Sequence, residues 1–303
     1  MRAVVTGGAG FVGSHVVDAL LTRGDEVTVV DNLSTGRREN LPEGVRLVEA
    51  DIREPLDDTF AGARPDVVFH LAAQIDVRRS VAEPDYDAAV NVLGTVRVLE
   101  AARKHDAQVV FSSTGGAIYG ECERPAPESK ERLPLSPYGT AKLSAEEYLA
   151  SYNRLYGSEH VSLRYGNVYG PRQDPHGEAG VVAIFFNCFL SGANPKIYGD
   201  GRQTRDYVFV EDVVRATLAA VGHSGIYNVG TGRETSVLEL YELCRRVADV
   251  NVEAEPAPER PGELQRSVLD PSLAERELGW RAERDLEDSL RETWAWISGQ
   301  TQA

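Results

Sequence analysis

Short apolar runs alternate with longer segments in which apolar residues return every three or four positions, and this alternation fills the first half of the chain. Ala3-Val4-Val5-Thr6, Glu26 to Val30, Arg46 to Ala50, Asp66 to His70, Gln108 to Phe111 and Val161 to Tyr165 read as strands. Helical periodicity lies between them, from the turn after Thr6 to about Arg23, from Asp85 to Lys104, and from Pro137 to Tyr156. Strands that alternate with helices predict an α/β fold, a doubly wound parallel sheet covered on both faces. After Tyr165 the rhythm breaks. The polar loop Gln173 to Gly180 opens a stretch without clean alternation, while Arg205 to Val210 and Ile226 to Gly230 are strand-like and helices start at Pro271 and Asp285. This predicts a first domain over residues 1–168, with return segments near 205–230, and a smaller α+β domain over residues 169–303.

The first strand runs into Gly7-Gly8-Ala9-Gly10-Phe11-Val12-Gly13 and then a helix. At such a turn the backbone N–H groups and the helix N-terminus receive a pyrophosphate. Gly7-x-x-Gly10-x-x-Gly13 is a variant of the dinucleotide fingerprint, and Asp31 ends the second strand 18 residues after Gly13, where a carboxylate accepts from adenosine ribose hydroxyls. The first domain therefore reads as Rossmann-type. An anion at position 31 repels a 2′-phosphate and favours NAD over NADP; Arg37 and Arg38 keep NADP open, their other reading being a solvated loop. Ligands of such sheets lie beyond the carboxyl ends of the strands, which makes Asp51-Ile52, Leu71-Ala72-Ala73-Gln74 and Ser112-Ser113-Thr114 candidate contacts. His70 reads as a satisfied strand-end histidine, and Asn91 as a tolerated polar residue in a helix.

Ser136-Pro137-Tyr138-Gly139-Thr140-Ala141-Lys142 places a phenol and an ammonium four residues apart at a helix start, with Ser136 as cap and Pro137 in the first turn. Tyr138 and Lys142 then share one helix face. A tyrosine that works as a base near neutral pH must lose about 4 kcal/mol of proton affinity. A positive charge about 4 Å away contributes roughly that at an effective dielectric of ~20. Lys142, helped by a cationic nicotinamide ring, would supply it. An ordinary surface helix is the alternative.

Composition narrows the partners. The 303 residues are 42% hydrophobic and carry a formal charge of −15, which disfavours nucleic acid and anionic membrane and requires phosphate groups to be held by local cations. Cys122, Cys188 and Cys244 are far apart with no C-x-x-C, which argues against a disulfide framework or a zinc site, so no metal is expected. The strand at the N-terminus leaves no room for a signal peptide, and no apolar run is of membrane-spanning length, so a cytoplasmic protein is expected. The lysines are Lys104, Lys130, Lys142 and Lys196 alone, which makes a lysine at the helix site less of a filler.

The glycine turn at the extreme N-terminus, Asp31-Asn32, Asp51-Ile52, Leu71-Ala72-Ala73, Ser112-Ser113-Thr114 and Tyr138-x-x-x-Lys142 occur together and in order. In this the chain resembles the extended short-chain dehydrogenase/reductases. Leu163-Arg-Tyr-Gly-Asn-Val-Tyr-Gly-Pro-Arg172, Arg205-Asp-Tyr-Val-Phe-Val210 and Arg260-Pro-Gly-Glu263 are similar to the nucleotide-sugar branch, the NAD-dependent epimerases and dehydratases, over essentially the whole chain. The resemblance implies that Gly7, Gly10, Phe11, Val12, Gly13, Asp31, Asn32, Ser34, Thr35, Gly36, Asp51 and Ile52 touch NAD. Leu71 to Ala73, Gln74, Asn91, Ser112, Tyr138, Lys142 and Tyr165 would do so from the nicotinamide side. It implies that Thr114, Tyr138, Asn167, Val181, Lys196, Tyr198, Arg205, Arg260 and Glu263 hold a UDP-sugar, with Thr114, Tyr138 and Lys142 catalytic. The implied reaction is 4-epimerisation through a 4-keto sugar. Another nucleotide-sugar epimerase or dehydratase and a non-catalytic NAD-binding protein are the alternatives. Family dehydratases carry Asp-Glu directly after the threonine; Gly115-Gly116-Ala117 stands here and favours epimerisation. Ser267, where relatives can carry a bulky tyrosine, implies tolerance of N-acetylated sugars. A homodimer through the helices around Glu83–Lys104 and Leu143–Tyr156 is implied as well.

Overall fold

The structure is a computed structural model and describes residues 1–174, 180–260 and 263–300. Its centre is a seven-stranded parallel sheet in the order β11-β6-β5-β4-β1-β2-β3. The strands are β1 (Arg2–Thr6), β2 (Glu26–Asp31), β3 (Arg46–Glu49), β4 (Val67–His70), β5 (Gln108–Thr114), β6 (Val161–Tyr165) and β11 (Gly225–Val229). Of the remaining strands, β7 (Asn167–Tyr169) pairs with β10 (Tyr207–Phe209), and β8 (Lys196–Tyr198) with β13 (Glu255–Ala257). Between β12 (Thr235–Ser236) and β14 (Arg266–Ser267) lies β9 (Thr204–Arg205).

The helices of the first part are α1 (Phe11–Thr22), α2 (Asp57–Ala63), α3 (Val77–Ala82), α4 (Pro84–Ala88), α5 (Thr95–Arg103), α6 (Gly115–Ile118) and α7 (Pro137–Tyr156). Those of the second are α8 (Val181–Ser191), α9 (Val210–Ala219), α10 (Val237–Ala248), α11 (Ser272–Leu278) and α12 (Leu286–Gln300). None of the described helices is long and apolar enough to cross a membrane.

The double winding follows from strand alternation. Val5, Val29, Phe69, Val110 and Leu163 face α1 and α9, whereas Val4, Val30, Val68, Val109 and Phe111 face α2, α5 and α7. Both faces of every central strand are thus apolar, as a sheet buried on two sides requires. An aromatic cluster around Phe185, Phe186, Phe189 and Tyr241 joins α8 to α10 and α12 and forms the core of the second part.

The predicted strands and helices are present, with three differences. β5 runs on to Thr114, because Ser112, Ser113 and Thr114 pair with Leu163, Arg164 and Tyr165 of β6. The helix expected from Asp85 to Lys104 is α4 and α5 joined by a π-wound stretch over Ala89–Gly94. A side chain at Gly94 would lie 2.7 Å from Ile52, so the widened turn passes close to the end of β3. The strand-like stretch Arg205 to Val210 is split at Asp206 into the ends of β9 and β10, which belong to different sheets, and Val210 already opens α9.

Candidate active site

Because the seven strands run parallel, Thr6, Asp31, Glu49, His70, Thr114, Tyr165 and Val229 all end at one edge, and the loops that follow them face a common cleft.

The glycine turn is fixed by backbone geometry. Gly7 has φ +70° and donates to Val30 O at 2.8 Å, while Gly10 donates to Gly7 O at 3.1 Å. A Cβ at Gly13 would sit 2.1 Å from Gly7 O, and one at Gly7 would sit 2.6 Å from the backbone nitrogen of Ala72. These positions admit glycine only, and they press the turn against Leu71–Ala72. The cap of α1 is Gly10, with no side-chain cap, so the first-turn N–H groups of Phe11, Val12 and Gly13 have no side-chain acceptor at the cap, the arrangement in which a helix start can receive an anion. Asp31 is buried and accepts from Ala9 N at 2.9 Å and Leu33 N at 2.8 Å, which ties the turn to the end of β2 and leaves lone pairs for ribose hydroxyls. A side chain at Gly36 would touch the Asp31 carboxylate at 2.8 Å.

Ser34 donates through both N and Oγ to Asn32 Oδ1. Asn32 donates in turn to Asp51, and the bidentate Arg53 guanidinium holds the Asp51 carboxyl well below the usual range. Thr35 lies in the same loop and Ile52 is buried beside Asp51. Arg37, the NADP alternative, pairs with Asp174 at 3.4 Å on an exposed surface. The residues present therefore fit a dinucleotide.

His70 is fully buried between Thr6 and Thr95, at 2.7 and 3.0 Å, and burial pushes its imidazole down to about 3, as a satisfied strand-end histidine requires. Beyond it Leu71, Ala72 and Ala73 lead to Gln74, whose N donates to Asn91 Oδ1 while Asn91 Nδ2 donates to Gln74 O. Asn91 is thus an organising group of the loop after β4, not a tolerated polar residue. The family resemblance singles Asn91 out as a cofactor contact, but nothing local in the sequence marks the π turn that carries it or its pairing with Gln74.

At the end of β5 the expected trio meets. Thr114 stands beside the Tyr138 phenol, and Lys142 Nζ donates to Ser112 O at 2.8 Å with the Phe111 ring face 4.7 Å away. Ser136 caps α7 by accepting from Gly139 N, worth about 1 kcal/mol, and Gly157 at φ +67° ends it. Burial lowers the Lys142 ammonium to about 8. Tyr138 departs from the expectation. Burial foremost, and the charge of Asp87 after it, raise its phenol above the ordinary value, with the Thr114 hydroxyl opposing. In the protein alone desolvation prevails, and the charge that acts on the phenol is that of Asp87 and not that of Lys142.

Behind the trio lies a polar network. Arg164 is 0% exposed and grips Glu146 with Nε at 2.9 Å and Nη2 at 2.6 Å, Glu146 also accepts from Ser113 at 2.5 Å, and Arg164 reaches the Tyr119 hydroxyl at 2.6 Å. Glu146 continues the Tyr138–Lys142 face by one more turn, a spacing legible in the sequence but passed over. The Tyr165 hydroxyl bonds Thr217 of α9 at 2.8 Å, inside the core.

Across the cleft Asn167 is exposed, and the Cβ direction of Gly116 points at Asn167 Oδ1 and Thr114 Oγ1, 3.7 and 3.9 Å away, with nothing nearer. Gly115 is the opposite case, since a Cβ there would meet Leu269 at 2.5 Å. Arg205 donates through Nη1 to the carbonyls of Thr204 and Leu264 and through Nη2 to Glu263, and two of its five N–H groups are not used by these bonds. Arg260 lies over the Tyr198 ring at 3.8 Å; Lys196 is exposed in the same strand, and Val181 opens α8 half-buried. Pro261 and Gly262 of the Arg260–Glu263 motif lie outside the described residues. Ser267 is buried in β14.

Known proteins share this arrangement. The profile of the NAD dependent epimerase/dehydratase family matches residues 3–230. A UDP-glucose 4-epimerase of Mycolicibacterium smegmatis is 46% identical over 315 residues, covering 100% of both chains. The crystal structure of Thermotoga maritima UDP-glucose 4-epimerase with UDP-glucose superposes with a TM-score of 0.97 at 46% identity, over 99% of this chain and 100% of the other. The UDP-glucose 4-epimerase of Thermus thermophilus in complex with NAD gives 0.95 at 47% identity, over 99% of each. On its sequence and its whole fold, the chain belongs to the NAD-dependent epimerase/dehydratase family.

Proposed function

We propose that the chain is an NAD-dependent 4-epimerase of UDP-hexoses, interconverting UDP-glucose and UDP-galactose, with UDP-N-acetylhexosamines as further substrates. What supports this most is the meeting of Thr114, Tyr138 and Lys142 at the carboxyl end of β5, two strands from the glycine turn. Residues 1–168, with return segments near 205–230, form the dinucleotide-binding domain, and 169–303 supply most of the nucleotide-sugar contacts. NAD, when bound there, would supply a reversible hydride acceptor for C4 of the sugar.

Tyr138 accepts the proton of the 4-hydroxyl, keeps it while C4 is a ketone, and returns it; Thr114 orients both oxygens by hydrogen bonding. Lys142 stabilises the phenolate by charge, which offsets the desolvation that raises Tyr138 in the protein alone. Asn167, Arg205 and Arg260 hold the UDP portion, and the space over Gly116 admits the turning sugar. Where a dehydratase would carry an acid pair, Gly115 is filled against by Leu269 and Gly116 is bare, so elimination has no side chain to perform it.

A second copy of the chain fits the exposed apolar residues Leu93, Tyr148, Leu155 and Tyr156, which lie on the helices expected at a homodimer interface. The acidic chain with three free cysteines suits the cytoplasm.

The test is conversion of UDP-glucose followed by NMR, with Tyr138→Phe alongside. Turnover by the wild type and a loss of about 10³-fold in the variant, with NAD binding kept, is the expected result. Full activity in Tyr138→Phe would refute the assignment.

A further inference from the structure

Asp87 has no part in that scheme, yet it is buried beside the groups that do. It stands on α4, one turn before Asn91, and is 1% exposed. Its Oδ1 accepts from Gln74 Nε2 at 2.8 Å and from Asn91 Nδ2 at 2.9 Å. Its Oδ2 is equally buried and has no hydrogen-bond partner. A carboxylate served on one oxygen only is costly in such surroundings and calls for a compensating charge.

The elements packed on α4 supply few candidates. From α7 come the Lys142 ammonium, whose field acts on Asp87, and the Tyr138 phenol, on which Asp87 acts. Glu146, the other acid acting on Lys142, is already bound by Arg164 and Ser113. His70, behind Lys142, is neutral and tied to two threonines. On the side of α3, Arg79 is taken by Glu83 and stacks on Tyr86. Burial raises the Asp87 carboxyl, and the Lys142 ammonium, on the helix packed against α4, is the cation whose field opposes that rise, without an ion pair of 4 Å or less between the two.

We propose that Asp87 is a positioning residue of the proton-transfer site, the counter-charge that keeps the buried Lys142 ammonium protonated while it anchors the Gln74–Asn91 pair at the end of β4. The proposal rests on the reading of Tyr138 and Lys142 as the reactive pair. Asp87 acts on both in one direction. It raises the proton affinity of Lys142 against burial, and it also raises that of Tyr138, so it sets the two ends of the pH window in which a charged lysine and an ionisable phenol coexist.

The four lysines make the test direct. In full-length protein labelled at lysine Cε with ¹³C, Lys142 is assigned by its loss in Lys142→Met, and a midpoint near 8 is expected in the wild type. Asp87→Asn keeps the shape and can still accept from Gln74 and Asn91; it should lower the Lys142 midpoint by about one pH unit, leaving Lys104, Lys130 and Lys196 unmoved. Asp87→Glu should restore the midpoint, and the alkaline limb of the kcat profile should follow the same order. An unmoved Lys142 midpoint in folded Asp87→Asn overturns the proposal. If that variant does not fold, Asp87→Ser carries the same expectation and the same refutation. The titration needs no turnover, so it decides the matter even where an active Tyr138→Phe had overturned the epimerase reading.

Discussion

The two sides of the cleft are built by different means. On the dinucleotide side, the candidate groups are held by backbone contacts that leave no latitude. Gly7 and Gly13 are wedged against main-chain atoms, and Asp31 is fastened to two backbone N–H groups. On the sugar side, short strands far apart in sequence are clamped by side chains. Arg205 ties β9 to Leu264 and Glu263 just before β14, and Arg266 bonds Glu234 through Nε at 2.9 Å and through Nη2. A backbone-built site tolerates no added atom, whereas a site built of arginines and carboxylates can be retuned one residue at a time.

That contrast breaks first at Gly13. Gly13→Ala drives a methyl group into Gly7 O, and a loss of about 3 kcal/mol in stability together with NAD binding is expected in urea unfolding and in cofactor titration. A stable, NAD-binding Gly13→Ala protein would show the turn to be more compliant than its geometry.

Arg205→Lys probes the other side. It keeps the charge and gives up the fork that reaches two carbonyls, so KM for the UDP-sugar should rise about tenfold with kcat and NAD affinity little changed. Steady-state kinetics decides it.

A further effect is in pH. His160 is buried, its Nδ1 accepts from Val109 N at 3.1 Å, and burial holds it down at about 4. Between about 6.5 and 4 the unfolded chain binds a proton that the folded one refuses, so stability falls as pH falls through that window. From pH 7 to pH 5 the loss is about 2 kcal/mol. His160→Gln should flatten this slope in urea unfolding at the two pH values, while Arg205→Lys should not.

The same contrast decides what could be read from the sequence. The first side was legible because many of its candidate residues follow an apolar strand, and strand ends can be counted from hydrophobic periodicity alone. Gly7-x-x-Gly10-x-x-Gly13, Asp31 and Tyr138-x-x-x-Lys142 are local patterns whose spacing is their geometry. The second side was reached mainly by likeness to a family. Nothing within Thr204-Arg205 or Arg266-Ser267 announces a three-stranded sheet assembled from three distant segments. Asp87 escaped for another reason, because a polar residue one turn before Asn91 on a helix looks solvent-facing until a π turn and a neighbouring loop enclose it, and the pairing of Asn91 with Gln74 was hidden in the same way. The upward shift of Tyr138 was hidden too, since desolvation depends on atoms contributed by the whole fold.

The central claim is that C4 of the sugar loses and regains the same hydrogen while Tyr138 handles only the hydroxyl proton. The direct measurement is conversion of UDP-glucose deuterated at C4 in ordinary water, with NMR of the UDP-galactose formed. Full retention of deuterium at C4 is the predicted result, and exchange of that position with solvent would contradict the account.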